Sequence, residues 1–316
     1  MIVVGSGATA ISLIPALAQK AAKVTMLQRS PTYLLAGSRV NPIIEAVRKK
    51  VMPRRISHAF ARYFAVAFES VVWFLARTVP GVARKIIRAQ KNASRLPAGY
   101  PVDVHFKPRY NVWDQRLCLV ADGDLFEAIS DGRAVVVTDH IDRFDDTGGV
   151  MLKSGQHLEA DIIVTATGLQ LQALGGVRIT LDGNEIKPQE RFSYKAHMLE
   201  DVPNLIWCIG YTNASWTLRA DMTARAAAKL IEYMNSHGYT HAFPHLGGEP
   251  IAEKPAWDIQ AGYVLRNLHA LPKSGLKRPW VVRQNYLADA FDHHFIDKID
   301  EDMTFGRVAS PVRAAG

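Results

Sequence analysis

A short β-branched run, Ile2 to Val4, leads straight into Gly5-Ser6-Gly7-Ala8-Thr9-Ala10 and then into helix-favouring residues from Ile11 to Ala22. Few local arrangements satisfy that order: a strand must end in a tight turn, and a helix must open directly after it. A second strand is predicted over Val24 to Leu27 and ends before Pro31, because a residue preceding proline favours an extended or turn conformation. Strand, helix and strand are complete within about thirty residues, the length a β-α-β unit needs. Pro15 falls inside the predicted helix, where it removes a backbone hydrogen bond and bends the axis; the sequence offers no reason for it.

A glycine-rich turn between a strand and a helix is the setting in which a dinucleotide is held. Gly5 permits the tight turn, Gly7 lets the backbone approach a pyrophosphate, and Ala10 keeps the helix close to the sheet. Ser6, Ala8 and Thr9 complete a loop whose helix N-terminus faces the anion. The end of the second strand then selects the nucleotide. An NAD site places an acidic side chain there, whereas this chain has Gln28-Arg29-Ser30, a cation and a hydroxyl suited to a 2′-phosphate. NADPH is the expected ligand, and a solvated surface charge is the plainer alternative for Arg29.

The remaining chain, to residue 316, is long enough for two ordinary domains, and its 48% hydrophobic content suits packed cores. From Asn41 to about Arg95 the periodicity is helical. Phe60, Phe64, Phe68, Val71 and Leu75 recur on one side, with Arg62 and Glu69 opposite, so this stretch is expected to be amphipathic and not membrane-spanning. Arg84, Arg88, Lys91 and Arg95 align along one side of a further helix. A solvated face is the favoured reading of that stripe, ahead of a phosphate-binding or membrane-surface role. Strands are predicted at Ala134 to Thr138, Ile141 to Phe144, Val150 to Lys153 and Asp161 to Thr165, where the sheet is expected to resume. A hairpin around Asp182-Gly183, an apolar strand from Leu205 to Ile209 and a helix from about Met222 to Met234 follow.

Several function classes lose ground here. The net charge of +8 is compatible with nucleic acid, an acidic membrane or a phosphorylated cofactor, and the glycine loop favours the last; no nucleic-acid partner is expected. Cys118 and Cys208 stand alone in apolar surroundings and are expected to be buried and inert, not disulfides. No metal is expected, since the histidines at 241, 245, 293 and 294 match no ligand spacing. A hydrolase reading lacks its G-x-S-x-G elbow. The glycine loop so near Met1 argues against a leader peptide, and a cytoplasmic location is the expectation.

A second fingerprint, Asp161-Ile-Ile-Val-Thr-Ala166-Thr167-Gly168, is a strand running into a small-residue turn, as in flavoproteins that bind two dinucleotides. Two long strings go further: His105-Phe-Lys-Pro-Arg-Tyr-Asn-Val-Trp-Asp-Gln-Arg-Leu-Cys-Leu-Val120 and Pro203-Asn-Leu-Ile-Trp-Cys-Ile-Gly-Tyr-Thr-Asn-Ala-Ser-Trp-Thr-Leu218. With the glycine loop and Gln28-Arg29-Ser30, they make the chain resemble the Baeyer-Villiger flavin monooxygenases over essentially its whole length. The resemblance implies NADPH and FAD as cofactors, and transfer of one oxygen from O2 into a ketone or onto sulfur. It implies that Arg116 is the active-site arginine, whose fixed charge stabilises developing negative charge; an ion pair with Asp114 or Asp122 is the alternative. It also places Ala166, Thr167 and Gly168, and Gly210, Asn213 and Trp216, beside the cofactors, although Trp216 suits core packing equally well.

The departure from the family is as informative. The family's own FAD loop and its F-x-G-x-x-x-H-x-x-x-W fingerprint are not found upstream of Ile2. The expected architecture is therefore α/β. Residues 1–170 form a Rossmann-type NADPH domain with a helical insertion at about 38–100, and residues 171–316 form the C-terminal remainder of an FAD-binding domain. Leu205 to Ile209, lacking its neighbours, is expected to be an exposed edge, so the chain alone is expected to bind FAD poorly and to aggregate. The alternative to an N-terminally shortened monooxygenase is a non-catalytic NADPH-binding fragment. Substrate identity and oligomeric state are not encoded legibly.

Overall fold

The computed structural model describes residues 1–39, 42–49, 53–93, 96–115, 117–146, 148–248, 250–257 and 259–308, the side chains of 43, 48–49 and 88–93 excepted. The chain divides into two units, Met1–Leu169 and Gln170–Gly316.

The first unit opens as its residues dictate. Strand β1 (Ile2–Val4) turns through Gly5 into α1 (Ala8–Leu17), and β2 (Val24–Gln28) follows. The helix begins at Ala8 and ends at Leu17, earlier at both ends than the apolar periodicity suggested. Pro15 is buried within it. Next come β3 (Leu34–Gly37), the helices α2 (Pro42–Lys49), α3 (Arg54–Thr78), α4 (Pro80–Ala93) and α5 (Val102–His105), and then β4 (Cys118–Ala121). Strands β3 and β4 pair in parallel as a separate ladder, so the helical stretch lies within their crossover. Helix α6 (Asp124–Ser130) leads to β5 (Ala134–Thr138), then β6 (Ile141–Asp145), β7 (Gly149–Leu152), β8 (His157–Glu159) and β9 (Ile163–Thr165).

The parallel sheet has the order β5-β2-β1-β9. Its centre, β1, is buried on both faces, as parallel strands require. Val3 points to a core shared with Ala10, Ile14, Phe106 and Phe126, whereas Ile2 and Val4 point to a second cluster with Val150 and Leu152. Two of the predicted strands do not join this sheet. Ile141–Asp145 and Gly149–Leu152 form, with β8, a three-stranded antiparallel meander. The connections around Gly148 and Gly155 explain the correction: a parallel return needs a crossover of a dozen residues or more, and these loops hold three and four.

The second unit is built from short antiparallel pairs: β10 (Ile179–Leu181) with β11 (Asn184–Ile186), and β12 (Ser193–Tyr194) with β13 (Met198–Leu199). The first pair turns through Asp182 and Gly183, both with positive φ (50° and 81°), the geometry of a two-residue hairpin. Helix α7 (Trp216–His237) starts six residues before the expected Met222 and ends at Gly238, φ 66°, which supplies a left-handed cap. Strand β14 (His241–Pro244) pairs with a later strand at Met303–Gly306, and Glu253–Lys254 with Ser274–Gly275. Helix α8 (Gly262–Leu265) and helix α9 (Tyr286–Phe295) complete the unit; α9 is capped by the Asn285 side chain, which accepts from the Ala288 N–H. Leu205 to Ile209 is not a strand, a second correction. Cys118 is buried but Cys208 is exposed, because residue 208 lies on that unpaired run.

Candidate functional site

The carboxyl ends of β1 and β9 meet at the point where the sheet order reverses, since β1 is followed in space by β2 on one side and β9 on the other. In open parallel sheets this switch point is where ligands bind. Gly5 sits there with φ +136°, and a Cβ on it would lie 2.2 Å from the Ala166 carbonyl oxygen. Two elements predicted far apart in sequence, the glycine loop and the Ala166-Thr167-Gly168 turn, are thereby in backbone contact. The Ala166 N–H donates to the Val4 carbonyl (2.7 Å), and the Gly5 N–H to that of Leu27 (2.8 Å).

Gly7 differs from Gly5. Among the described residues a Cβ at Gly7 would meet nothing within 4 Å, so none of them demands glycine there. Ala8 and Thr9 are exposed, and Ala10 is buried in the core under the sheet. No side chain caps the N-terminus of α1, and its first turn carries no acidic residue, so an anion meets no competing carboxylate there.

Ser6 couples this loop to the end of β2. Its hydroxyl donates to the Ser30 carbonyl (3.2 Å) and lies 2.9 Å from the Thr32 hydroxyl. Arg29, the neighbour of Ser30, is exposed, and no described residue pairs with it. Gln28, at the end of β2, ties the sheet together. It is 1% exposed, and its amide nitrogen donates to the His105 carbonyl (2.7 Å) and the Thr138 hydroxyl (2.8 Å). Both N–H groups serve to join β2, β5 and α5, so Gln28 shapes the sheet's edge from within. His105, whose ring lies 2.9 Å from Thr138 Oγ1, has its pKa lowered by burial, which keeps the imidazole neutral. Thr32, His105 and Thr138 had no signal as partners, because their roles depend on contacts spanning the unit.

Arg116 lies outside the described residues. The two carboxylates considered for it have other cationic partners: Asp114 pairs with Arg77 (3.2 Å), and Asp122 with Arg39 (3.2 Å). Of the predicted basic stripe, Arg84 is exposed, Arg95 lies outside the described residues, and the side chains of Arg88 and Lys91 do as well.

In the second unit, Gly210 is fixed by Trp216: a Cβ there would lie 2.1 Å from Trp216 Cγ. The indole is 50% exposed, so it covers Gly210 from outside and is not core. Asn213 donates through its side-chain amide to the Gln284 carbonyl (2.7 Å), and Thr212 donates to the Gln284 side-chain oxygen from both N–H (2.8 Å) and hydroxyl (3.1 Å). Beneath them Arg219, 3% exposed, donates to the carbonyls of Gly210 and Arg283 and pairs with Asp289 (2.9 Å). Its guanidinium stacks 3.8 Å above the Tyr211 ring. Burial raises the Tyr211 pKa, with Arg219 opposing, so its hydroxyl stays protonated and donates to Asp289 (2.8 Å).

No family model matches the chain. It is 45% identical over 305 residues to an FAD-containing monooxygenase, EthA, of Mycolicibacterium smegmatis, a match covering 96% of this chain and 61% of the relative. It is 43% identical over 315 residues to EthA of Mycobacterium tuberculosis, covering 99% and 63%. It is 40% identical to a probable FAD-binding monooxygenase, AlmA, of Acinetobacter baylyi, covering 92% and 58%. The chain thus spans about three fifths of the length of these relatives. Among solved structures, an oxidized steroid monooxygenase bound to NADP superposes with TM-score 0.66 at 15% identity, covering 97% of this chain and 66% of that one. An open cyclohexanone monooxygenase superposes with TM-score 0.58 at 17% identity, covering 96% and 65%. At those identities the likeness is one of fold.

Proposed function

We propose that the chain is part of an FAD-containing monooxygenase and that its first unit, Met1–Leu169, binds NADPH for a flavin-dependent, Baeyer-Villiger type oxygenation. NADPH supplies the hydride and FAD the activation of O2, so that one oxygen atom enters a ketone or reaches sulfur. The observation that carries the reading is the contrast between the two loop glycines. Gly5 is demanded by the Ala166 carbonyl, whereas the space over Gly7 is open, which suits a pyrophosphate lying against the backbone.

Ser6, Ala8, Thr9 and Ala10 shape that cradle, and the N-terminus of α1 provides its positive end. Arg29 grips the 2′-phosphate with Ser30 beside it, while Gln28 supports both from within the sheet. Ala166, Thr167 and Gly168 close the other side. Arg116 is assigned a fixed positive charge at the reacting oxygen. For FAD the fit is incomplete, because the second unit's named strand pairs are all antiparallel and no second glycine loop stands in the sequence. Gly210, Asn213 and Trp216 are assigned to the flavin side, within residues 171–316. A cytoplasmic setting suits a consumer of NADPH.

The test is nucleotide titration of the purified chain. Arg29→Ala is expected to weaken NADPH binding about tenfold or more, the worth of a charge-assisted contact, and to leave NADH binding nearly unchanged. Equal losses for both would overturn the assignment. Absence of NADPH binding in the unsubstituted chain would do so more broadly.

A further inference from the structure

Helix α3 is built the wrong way round for a helix of a water-soluble domain. Such a helix turns its apolar stripe to the core, yet Phe60, Tyr63, Phe68, Val71, Phe74 and Leu75 expose 42 to 68% of their surface. The residues that α3 does bury are Ser57, Val66 and Ala76. Phe60, Phe64 and Phe68 stack in a row along the helix, with ring centroids 5.8 and 6.2 Å apart. The next helix, α4, adds Val82 and Ile86, 53 and 59% exposed.

The charge around this face is as one-sided as its polarity. Residues 42–95 contain twelve lysines and arginines against two acids, Glu45 and Glu69. Their net +10 exceeds the +8 of the entire chain, so the basic character belongs to the helical insertion and the rest is slightly acidic. Two copies joined through this face would set one cationic patch against another, which disfavours self-association. An apolar surface ringed by cations is complementary to the interface of an anionic bilayer.

We propose that α3, with α4, docks this protein in the plane of an anionic lipid surface. At 25 residues α3 is long enough to cross a bilayer, and its apolar window has a mean hydropathy of 1.4. Arg62 and Glu69, seven residues apart, share the side opposite the phenylalanines, and such one-sidedness describes a helix lying in the interface. The exposed Tyr63 suits the headgroup level. The proposal is independent of the reading of the nucleotide site.

The test is flotation of the whole chain with vesicles of phosphatidylcholine alone or mixed equally with phosphatidylglycerol, at low and high salt. Binding to the mixed vesicles is expected to exceed that to the neutral ones at least tenfold at low salt and to fall as salt rises. Phe68→Ser with Phe74→Ser is expected to lower it about tenfold, with elution volume and circular dichroism unchanged. Arg54→Ser with Arg55→Ser, Arg84→Ser and Lys85→Ser leaves the apolar face intact and is expected to remove the preference for anionic vesicles. Failure to float with either vesicle would overturn the proposal, as would a phenylalanine variant that turns an oligomer into a monomer. Resistance of the bound protein to alkaline carbonate extraction would overturn the in-plane placement.

Discussion

Ile2 to Val4 and Leu205 to Ile209 are both short apolar runs that read as buried parallel strands, and the structure treats them oppositely. The first has a neighbour on each side, with Val3 registered against Met26 and Val164, and it is 0 to 9% exposed. Among the described residues no strand pairs with the second. Its Trp207 N–H donates to the His197 carbonyl at 2.9 Å, and this is the one backbone bond described for the run. Leu205, Trp207, Cys208 and Ile209 instead line, with Trp216, Trp257 and Leu271, a cavity of about 430 Å³. Strand formation is decided by available partners more than by propensity. Where a ladder is missing, side chains must hold the backbone.

Three experiments break or sharpen that contrast, and the largest effect belongs to the laddered run. Gly5 ends β1, and Ala166 follows β9. A methyl group at Gly5 would overlap a carbonyl that is itself fixed by the Ala166 to Val4 hydrogen bond, and the positive φ adds strain. Gly5→Ala is expected to cost about 4 kcal/mol, at the severe end for a single substitution, measured by denaturant unfolding, with loss of NADPH binding. An unchanged midpoint would show that the ladder end is soft and that the contrast is misdrawn.

In the unladdered region the corresponding role falls to Arg219, which anchors the segment following Ile209 through the Gly210 carbonyl. Asp289→Ala leaves that guanidinium buried without its carboxylate, at a cost of about 3 kcal/mol. Arg219→Met combined with Asp289→Leu removes both charges and is expected to cost less than the single change. If the double variant is the less stable of the two, the pair holds the segment by more than mutual neutralisation.

How much of this was legible follows the same division. The turn at Gly5, the strand before it and the hairpin at Asp182-Gly183 were readable because each is fixed by residues within a few positions of one another. The pairing of Leu34–Gly37 with Cys118–Ala121 was not, since some eighty residues of helical insertion separate the two strands. Gln28 carried a position signal for the nucleotide, but its part as an internal tie was not readable, because its partners His105 and Thr138 are 77 and 110 residues away. The Arg219 cluster was equally hidden, with Asp289 seventy residues on. Amphipathic periodicity in α3 was plain, but periodicity states only that two faces differ. Which face turns outward is a tertiary fact, and here it is the apolar one.

The smallest expected effect concerns His197, whose carbonyl accepts the Trp207 N–H. Burial pushes its pKa down to about 4, with Lys195 and His293 acting in the same direction and the Lys195 backbone and Asp297 opposing. In the unfolded chain an imidazole takes up its proton near pH 6.5, while the folded chain resists until about pH 4. The stability contributed by the neutral ring is therefore complete above pH 6.5 and is lost as pH falls toward 4. The full shift would amount to about 3 kcal/mol, and partial solvent access to the ring reduces the expectation to about 2 kcal/mol. Unfolding midpoints between pH 7 and pH 4 should fall for the unsubstituted chain and fall less for His197→Gln. His105 in the first unit also has its pKa lowered by burial and should add an acid-sensitive loss of its own, so the test is the difference between the unsubstituted chain and His197→Gln. A variant whose midpoints fall as steeply as those of the unsubstituted chain would mean that the acid-sensitive group lies elsewhere, and that the run at Leu205 to Ile209 is not where the chain first loosens.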